Sequence, residues 1–135
     1  MGWARARSAD IPGPGSLLSP AAGIDPGPLL GDWVNYDRNT TGIGALAIGR
    51  RSGGIGVSVL DAGPLWPPEV GETRGFAFAG SAGEMAATGF TACFGLAGLD
   101  VLLAAYLNLR LLVVDAYTVR PGTANHFHRD HFYQP

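Results

Sequence analysis

Short apolar runs alternate with turn residues along the chain from residue 29, with a spacing of roughly ten residues between turns. This pattern is typical of all-β proteins, in which a hairpin turn follows each strand. It predicts eight strands, at 31–37, 43–50, 54–61, 72–79, 85–94, 98–107, 109–119 and 124–133. The one long connection is 62–71, AGPLWPPEVG.

Eight antiparallel strands in meander order can close into an up-and-down barrel, which leaves no exposed sheet edge. A barrel of this size has room for one small ligand. The alternative is one or two helices over 84–107, where Ala, Leu and Met favour helices. Gly89, Gly95 and Gly98 in the same run favour strands. The sequence therefore predicts an all-β, eight-stranded antiparallel barrel over 29–135.

Residues 1–28 hold five of the ten prolines of the chain. Because proline lacks a donor and glycine loses much backbone entropy on ordering, they predict a flexible, disordered arm. No apolar run of signal-peptide length follows Arg5 and Arg7. No segment has the roughly 20 nearly uncharged residues that a membrane helix needs. We therefore expect a cytoplasmic protein without a membrane partner.

Composition narrows the chemistry further. The net charge is −2 and all nine cationic residues are Arg, so we expect no nucleic-acid partner and no Schiff-base lysine. Cys93 is the single cysteine, which excludes a disulfide within these residues, and its apolar neighbours predict a buried thiol. Phosphate-loop, dinucleotide-binding and serine-hydrolase motifs are absent, and no cofactor is predicted.

Alternation divides the last predicted strand into two faces. One face carries Ala124, His126, His128, Asp130 and Phe132. The other carries Asn125, Phe127, Arg129, His131 and Tyr133. We expect the first of these faces to line the barrel lumen.

In the preceding strand, Arg110 is expected to face solvent, and alternation would then send Asp115 and Tyr117 inward. The same alternation leaves three apolar residues on the outside, namely Leu112, Val114 and Ala116. Exposed apolar positions on a barrel wall predict a subunit interface, so we expect a homodimer or homotetramer.

The expected lumen combines apolar walls with groups that can donate and accept protons. The catalytic candidates are Asp115, Tyr117, His126, His128 and Asp130. The histidines could instead be a polar rim of the barrel. His126, His128 and Asp130 could also converge on a metal ion, but no matching His or Cys cluster exists elsewhere, so no metal site is predicted.

Three further residues are candidates for ligand binding. Trp33 and Asn35 share one face of the first strand, where the indole can shape or plug the lumen and the amide can project into it. Trp66 lies in the proline-rich connection 62–71, which could cover the barrel mouth as a lid or be a plain surface loop.

The sequence GDWVN at 31–35 resembles the G-x-W-x-N opening of avidin-like and, more loosely, lipocalin-like barrels. TAN at 123–125 and RDHF at 129–132 are similar to the end of the bacterial avidins. The resemblance implies a ligand-binding barrel. It also implies that Asn35, Thr40 or Thr41, and Asp130 contact the ligand.

The chain departs from that family because no tryptophan follows Trp66, whereas avidin-like pockets have several on later strands. We therefore expect a lumen adapted to a ligand other than biotin. The favoured hypothesis is a cofactor-free cyclase or isomerase of an apolar small molecule, by analogy with small barrel cyclases of bacterial specialised metabolism. The alternatives are a non-catalytic avidin- or lipocalin-like binding protein, and a structural barrel filled by its own side chains.

Overall fold

The structure, a computed structural model, describes residues 23–68 and 70–135. Eight antiparallel strands close into a barrel in sequence order, which confirms the predicted all-β fold. The strands are β1 (Gly31–Asn35), β2 (Ile43–Arg51), β3 (Gly54–Ala62), β4 (Thr73–Ala79), β5 (Ala87–Leu96), β6 (Leu99–Asn108), β7 (Leu111–Val119) and β8 (His126–Tyr133). Helices over 84–107 are excluded, because residues 89–96 of β5 pair with residues 99–106 of β6.

The predicted flexible arm covers residues 1–28, of which 1–22 lie outside the described residues. Residues 23–28 pack onto the barrel. Asp25 forms an isolated bridge with Ala86, and a 3-10 helix follows at Gly27–Leu29. Leu29 is fully buried in the core, so this segment covers the end of the barrel at which β5 begins.

The covered end of the barrel is apolar. Trp33 is 3% exposed, and its indole N–H donates a hydrogen bond to the carbonyl of Leu29 at 2.9 Å. Leu46, Ile55 and other inward side chains fill the space around it. Because alternate residues of each strand point inward, one apolar position in two is enough to build this core.

The barrel closes where β1 meets β8 through the pairs Val34–Tyr133 and Asn35–Phe132. The N–H of Tyr36 extends this seam by one bond to the carbonyl of His131, at 2.8 Å. Within the described residues, no helix is long and apolar enough to cross a membrane.

Cys93 is exposed, so the prediction of a buried thiol is wrong. In β5 the inward positions are taken by Phe90, Ala92 and Phe94, and alternation places Cys93 on the outer surface. The apolar run around the cysteine reflects the inner face of the strand, not the surroundings of the thiol.

Candidate functional site: a cavity at the open end

A cavity of about 220 Å³ opens at the barrel end opposite the 3-10 helix. It is bounded by the starts of β2, β6 and β8, the end of β7 and the connection after β3. Its polar lining consists of Thr41, Thr118, His126, His128 and Asp130. Its apolar lining includes Ile43, Leu65, Trp66, Leu99, Val114, Ala116 and Phe132. The volume is below the roughly 300–1,000 Å³ of pockets for drug-sized ligands, so the cavity suits a smaller molecule.

Strand β8 supplies most of the polar wall, and its predicted inner face is confirmed from His126 to Phe132, whereas Ala124 precedes the strand and is exposed. His126, His128 and Asp130 line the cavity, and the next inward residue is Phe132, which is fully buried. Because Phe132 is anchored in the core, the side chains two and four residues before it must point into the lumen. The alternate residues Phe127 and His131 are exposed.

His128 and Asp130 form a pair on this wall, with Nε2 of His128 3.2 Å from Oδ1 of Asp130. The imidazole is 60% exposed toward the mouth, whereas the carboxylate is 14% exposed. A carboxylate that accepts the Nε2–H fixes the imidazole tautomer and leaves the lone pair of Nδ1 available. The arrangement can therefore accept and return a proton at the mouth of the cavity.

Two threonine hydroxyls also line the cavity, and only Thr118 is absent from the predicted site residues. Thr118 lies directly opposite His126 across β7 and β8, and both side chains line the cavity. Thr41 lies in the connection before β2, where the family resemblance implied a contact from Thr40 or Thr41. The hydroxyl of Thr40 instead accepts the N–H of Gly42 at 3.1 Å.

The predicted orientation of β7 is wrong. Val114 and Ala116 line the cavity and Leu112 is buried in the core, whereas Asp115 and Tyr117 lie on the outer face. The prediction counted alternation from Arg110, but Leu109 and Arg110 form the hairpin turn before the strand, with Leu109 at φ 59°. A turn residue is exposed whichever way the following strand faces. The basis for an interface at Leu112, Val114 and Ala116 is therefore lost.

On the outer face, Asp115 pairs with Arg129 directly across β7 and β8. Nε and Nη2 of Arg129 donate to the two carboxylate oxygens at 2.7 Å and 3.0 Å. These bonds, aided by the positive charge of Arg129 and opposed by burial, lower the pKa of Asp115. The same contact raises the pKa of Arg129. The sequence of β7 alone does not place Asp115 outside, because its pairing with Arg129 follows only from the register of β7 and β8.

Trp33 and Asn35 point inward, as predicted, but neither lines the cavity. Trp33 packs at the covered end of the barrel. The amide of Asn35 donates to the carbonyl of Ile43 at 2.9 Å and accepts the N–H of Asp37 at 2.8 Å. Asn35 thereby holds the turn between β1 and β2.

Trp66 does line the cavity, together with Leu65. The indole packs edge-on against Phe94, with 5.5 Å between ring centroids. The turn that carries it is fixed by a hydrogen bond from the N–H of Gly63 to the carbonyl of Gly42, at 2.8 Å. A side chain at Gly63 would collide with the carbonyl oxygen of Thr41, so this close approach requires glycine.

No group of three or more His, Cys, Asp or Glu residues within 23–68 and 70–135 could hold a metal ion. The cavity instead offers imidazole, carboxylate and hydroxyl groups on one side and apolar surface on the other.

In comparisons with known proteins, no protein family, no curated protein and no solved structure matches the chain. The function is therefore argued from the cavity itself.

Proposed function

We propose that the protein binds an apolar small molecule in the open end of the barrel and catalyses a cofactor-free proton transfer in it, by which the molecule is isomerised or cyclised. The observation that supports this proposal is the contact between His128 and Asp130 inside a largely apolar cavity. Apolar surface provides the binding free energy, and one oriented imidazole is enough for general acid–base catalysis.

The binding mode follows from the two sides of the cavity. The apolar body of the molecule lies against Leu99, Val114 and Trp66, where contact removes apolar surface from water. The part of the molecule that carries the carbonyl group lies against β8. The carbon next to that carbonyl is then within reach of His128. Thr118 and Thr41 can donate hydrogen bonds to a carbonyl oxygen on the same molecule.

In the proposed reaction, Nδ1 of His128 removes a proton from a carbon next to a carbonyl group. Asp130 stabilises the imidazolium that forms. In an isomerisation, the imidazolium returns the proton to a different carbon and the double bond moves. In a cyclisation, the carbanion adds to the carbon of a second carbonyl group of the same molecule, the π electrons of that C=O bond move to its oxygen, and the imidazolium protonates the resulting alkoxide.

Three features support the small-molecule part of this proposal: the barrel, the likeness of its first strand to avidin-like and, more loosely, lipocalin-like proteins, and the likeness of its last strand to the bacterial avidins. The catalytic part depends on His128 and Asp130. Asp115 and Tyr117 are no longer candidates, because their side chains lie on the outer wall.

Non-catalytic binding is the second candidate, and the exposure of His128 favours it. An imidazole that is 60% exposed exchanges its proton with water, which limits how far a reaction is shielded from solvent. In this alternative His128 and Asp130 only hydrogen-bond the ligand.

The decisive experiment is native mass spectrometry of the protein purified from its own host, followed by incubation of any co-purified compound with fresh protein. A catalyst converts the compound to a product, and His128→Gln lowers the rate by about 10²- to 10⁴-fold while binding remains. The matched control is His131→Gln, which changes an exposed histidine on the other face of the same strand and leaves the rate unchanged.

A compound that binds but stays chemically unchanged would decide for the binding protein. If no compound co-purifies, ligand-observed NMR with indole and benzoate tests the cavity directly. Failure of both fragments to bind, together with the absence of a co-purified compound, contradicts the small-molecule function as a whole.

A further inference from the structure

Five large apolar side chains lie on the outer surface of β6, β7 and β8 and are 40–49% exposed. They form the outer apolar face, which consists of Leu102, Tyr106, Tyr117, Val119 and Phe127. The strand register makes three of them direct neighbours, whereas Val119 and Tyr106 lie in other rows, opposite Asp100 and Val113. Leu102 lies opposite Tyr117, and Tyr117 opposite Phe127, so one row of apolar side chains crosses three strands. The rings of Tyr117 and Phe127 are in contact, with centroids 5.2 Å apart.

The charge at the centre of this face is balanced. The next row across the same strands holds Asp115 and Arg129, which neutralise each other. The guanidinium of Arg129 also lies 5.6 Å from the centre of the Phe127 ring. Covering the row of Leu102, Tyr117 and Phe127 therefore desolvates a carboxylate and a guanidinium that are already paired, which lowers the cost of burying them. The carboxylate of Asp100, opposite Val119, lies at the edge of the face.

The five side chains supply about half of the area that a dimer contact needs. The aromatic side chains have roughly 150–250 Å² each and Leu and Val have less, so the exposed parts of the five amount to on the order of 400 Å². A stable interface needs about 800 Å² per partner. The remainder is available at the margin, where Cys93 on β5 lies beside Leu102 and His131 on β8 beside Val113.

We propose that the outer apolar face packs against the same face of a second copy of this chain, related by a two-fold axis. A two-fold contact packs the same surface patch of both copies together, so the charged groups of the patch must not repel the identical groups of the partner copy. The Asp115–Arg129 pair meets this requirement, because the reversed pair of the partner copy sets each cation near an anion. A partner with one dominant charge sign would gain nothing from this neutral pair.

The proposed contact does not depend on what the cavity binds. It does explain why β7 has apolar residues on both faces. Val114 and Ala116 face the lumen, whereas Tyr117 and Val119 face the proposed partner.

Sedimentation velocity of the 135-residue chain over a series of concentrations tests the proposal. We expect a species with twice the 14.0 kDa mass of the monomer. Tyr117→Arg should weaken the dimer by about 30-fold or more, because it introduces an uncompensated charge into the centre of the contact. The matched control Leu60→Arg changes an exposed leucine on β3 and should leave the dimer intact.

A circular-dichroism spectrum establishes that each variant keeps its strands. If Tyr117→Arg does not fold, the milder Leu102→Gln should weaken the dimer in the same direction. Alkylation of Cys93 should also be faster in the dissociated variant than in the wild type. A wild-type chain that stays monomeric at every concentration overturns the proposal, as does a dimer that both variants leave unchanged.

Discussion

The two ends of the barrel use the same eight strands for different purposes. At the covered end, Trp33 and Leu29 are buried and joined by a hydrogen bond, and the surrounding inward positions are apolar. At the open end, the inward positions of β8 carry two imidazoles and a carboxylate, and the imidazole of His128 is 60% exposed. The covered end stabilises the closed sheet, and the open end leaves room for a ligand.

The difference shows how a small barrel can separate a stabilising core from a polar cavity along its own axis. Strand β8 illustrates this within a few residues. Phe132 lies in the core, and two positions earlier on the same face Asp130 lines the cavity. Substitutions at the two ends should therefore affect different measurements.

The largest effect is expected from Trp33→Ala at the covered end. Removal of a fully buried indole should cost about 3–5 kcal/mol of unfolding free energy, since it leaves a cavity and an unpaired carbonyl at Leu29. Urea unfolding measures the loss. The folded fraction should still bind ligand, because Trp33 does not line the cavity. A loss of affinity without loss of stability would contradict the division between the two ends.

Gly63→Ala should have an intermediate effect at the open end. The added methyl group collides with the carbonyl oxygen of Thr41, and the strain should cost about 1–3 kcal/mol. The displaced turn should also move Trp66 away from Phe94, which tryptophan fluorescence and ligand titration both report. Gly71→Ala is the matched control, because a methyl group there meets no neighbouring atom within 4 Å. Equal stability of the two variants would show that the close approach is unimportant.

Arg129→Leu tests the outer wall, which belongs to neither end. In the wild type the pKa of Asp115 is lowered, so its stabilisation is present above the usual carboxyl pKa of 3.8 and is lost as the pH falls through the lowered value. Without the guanidinium, burial raises the pKa of Asp115. The pH dependence of the unfolding free energy then reverses, and the variant loses stability as the pH rises through that raised pKa.

At neutral pH the unpaired carboxylate of Asp115 should cost about 1 kcal/mol. Carbon-13 NMR of the carboxyl group measures the pKa, and unfolding curves at several pH values measure the stability. An unchanged Asp115 pKa in Arg129→Leu would mean that the ion pair does not hold the carboxylate in its charged form.

The smallest change in stability is expected from His128→Gln. The imidazole is largely exposed, so its replacement should alter the unfolding free energy by less than about 0.5 kcal/mol. Thermal unfolding checks this value. A loss comparable with that of Trp33→Ala would mean that the open end also contributes to the core.

The strand pattern and the final strand could be predicted because their signals are local. Turn residues mark the ends of the strands, and Phe132 fixes the face of β8 that turns inward. The orientation of β7 could not be derived from Arg110, because the turn at Leu109 interrupts the alternation. The contact that determines it, Asp115 with Arg129, depends on which residues of two strands lie opposite each other.

Cavity residues from connections were harder still. The aromatic side chain of Trp66 is a signal that the sequence shows. Thr41 and Leu65 line the cavity where the backbone N–H of Gly63 bonds to the carbonyl of Gly42. Such a contact joins two segments of the chain at a single backbone position. Local hydrophobic patterning contains no signal for it.

The seam between β1 and β8 determines when the cavity comes into existence. Val34 pairs with Tyr133, so the two strands that complete the cylinder are among the first and the last of the barrel to leave the ribosome. Contacts so distant in sequence form slowly, since the entropy of a long loop is lost before they are made. The nascent chain therefore has neither a sealed wall nor the histidines of β8 until synthesis has passed Tyr133. Before that point, the chain cannot enclose a guest molecule.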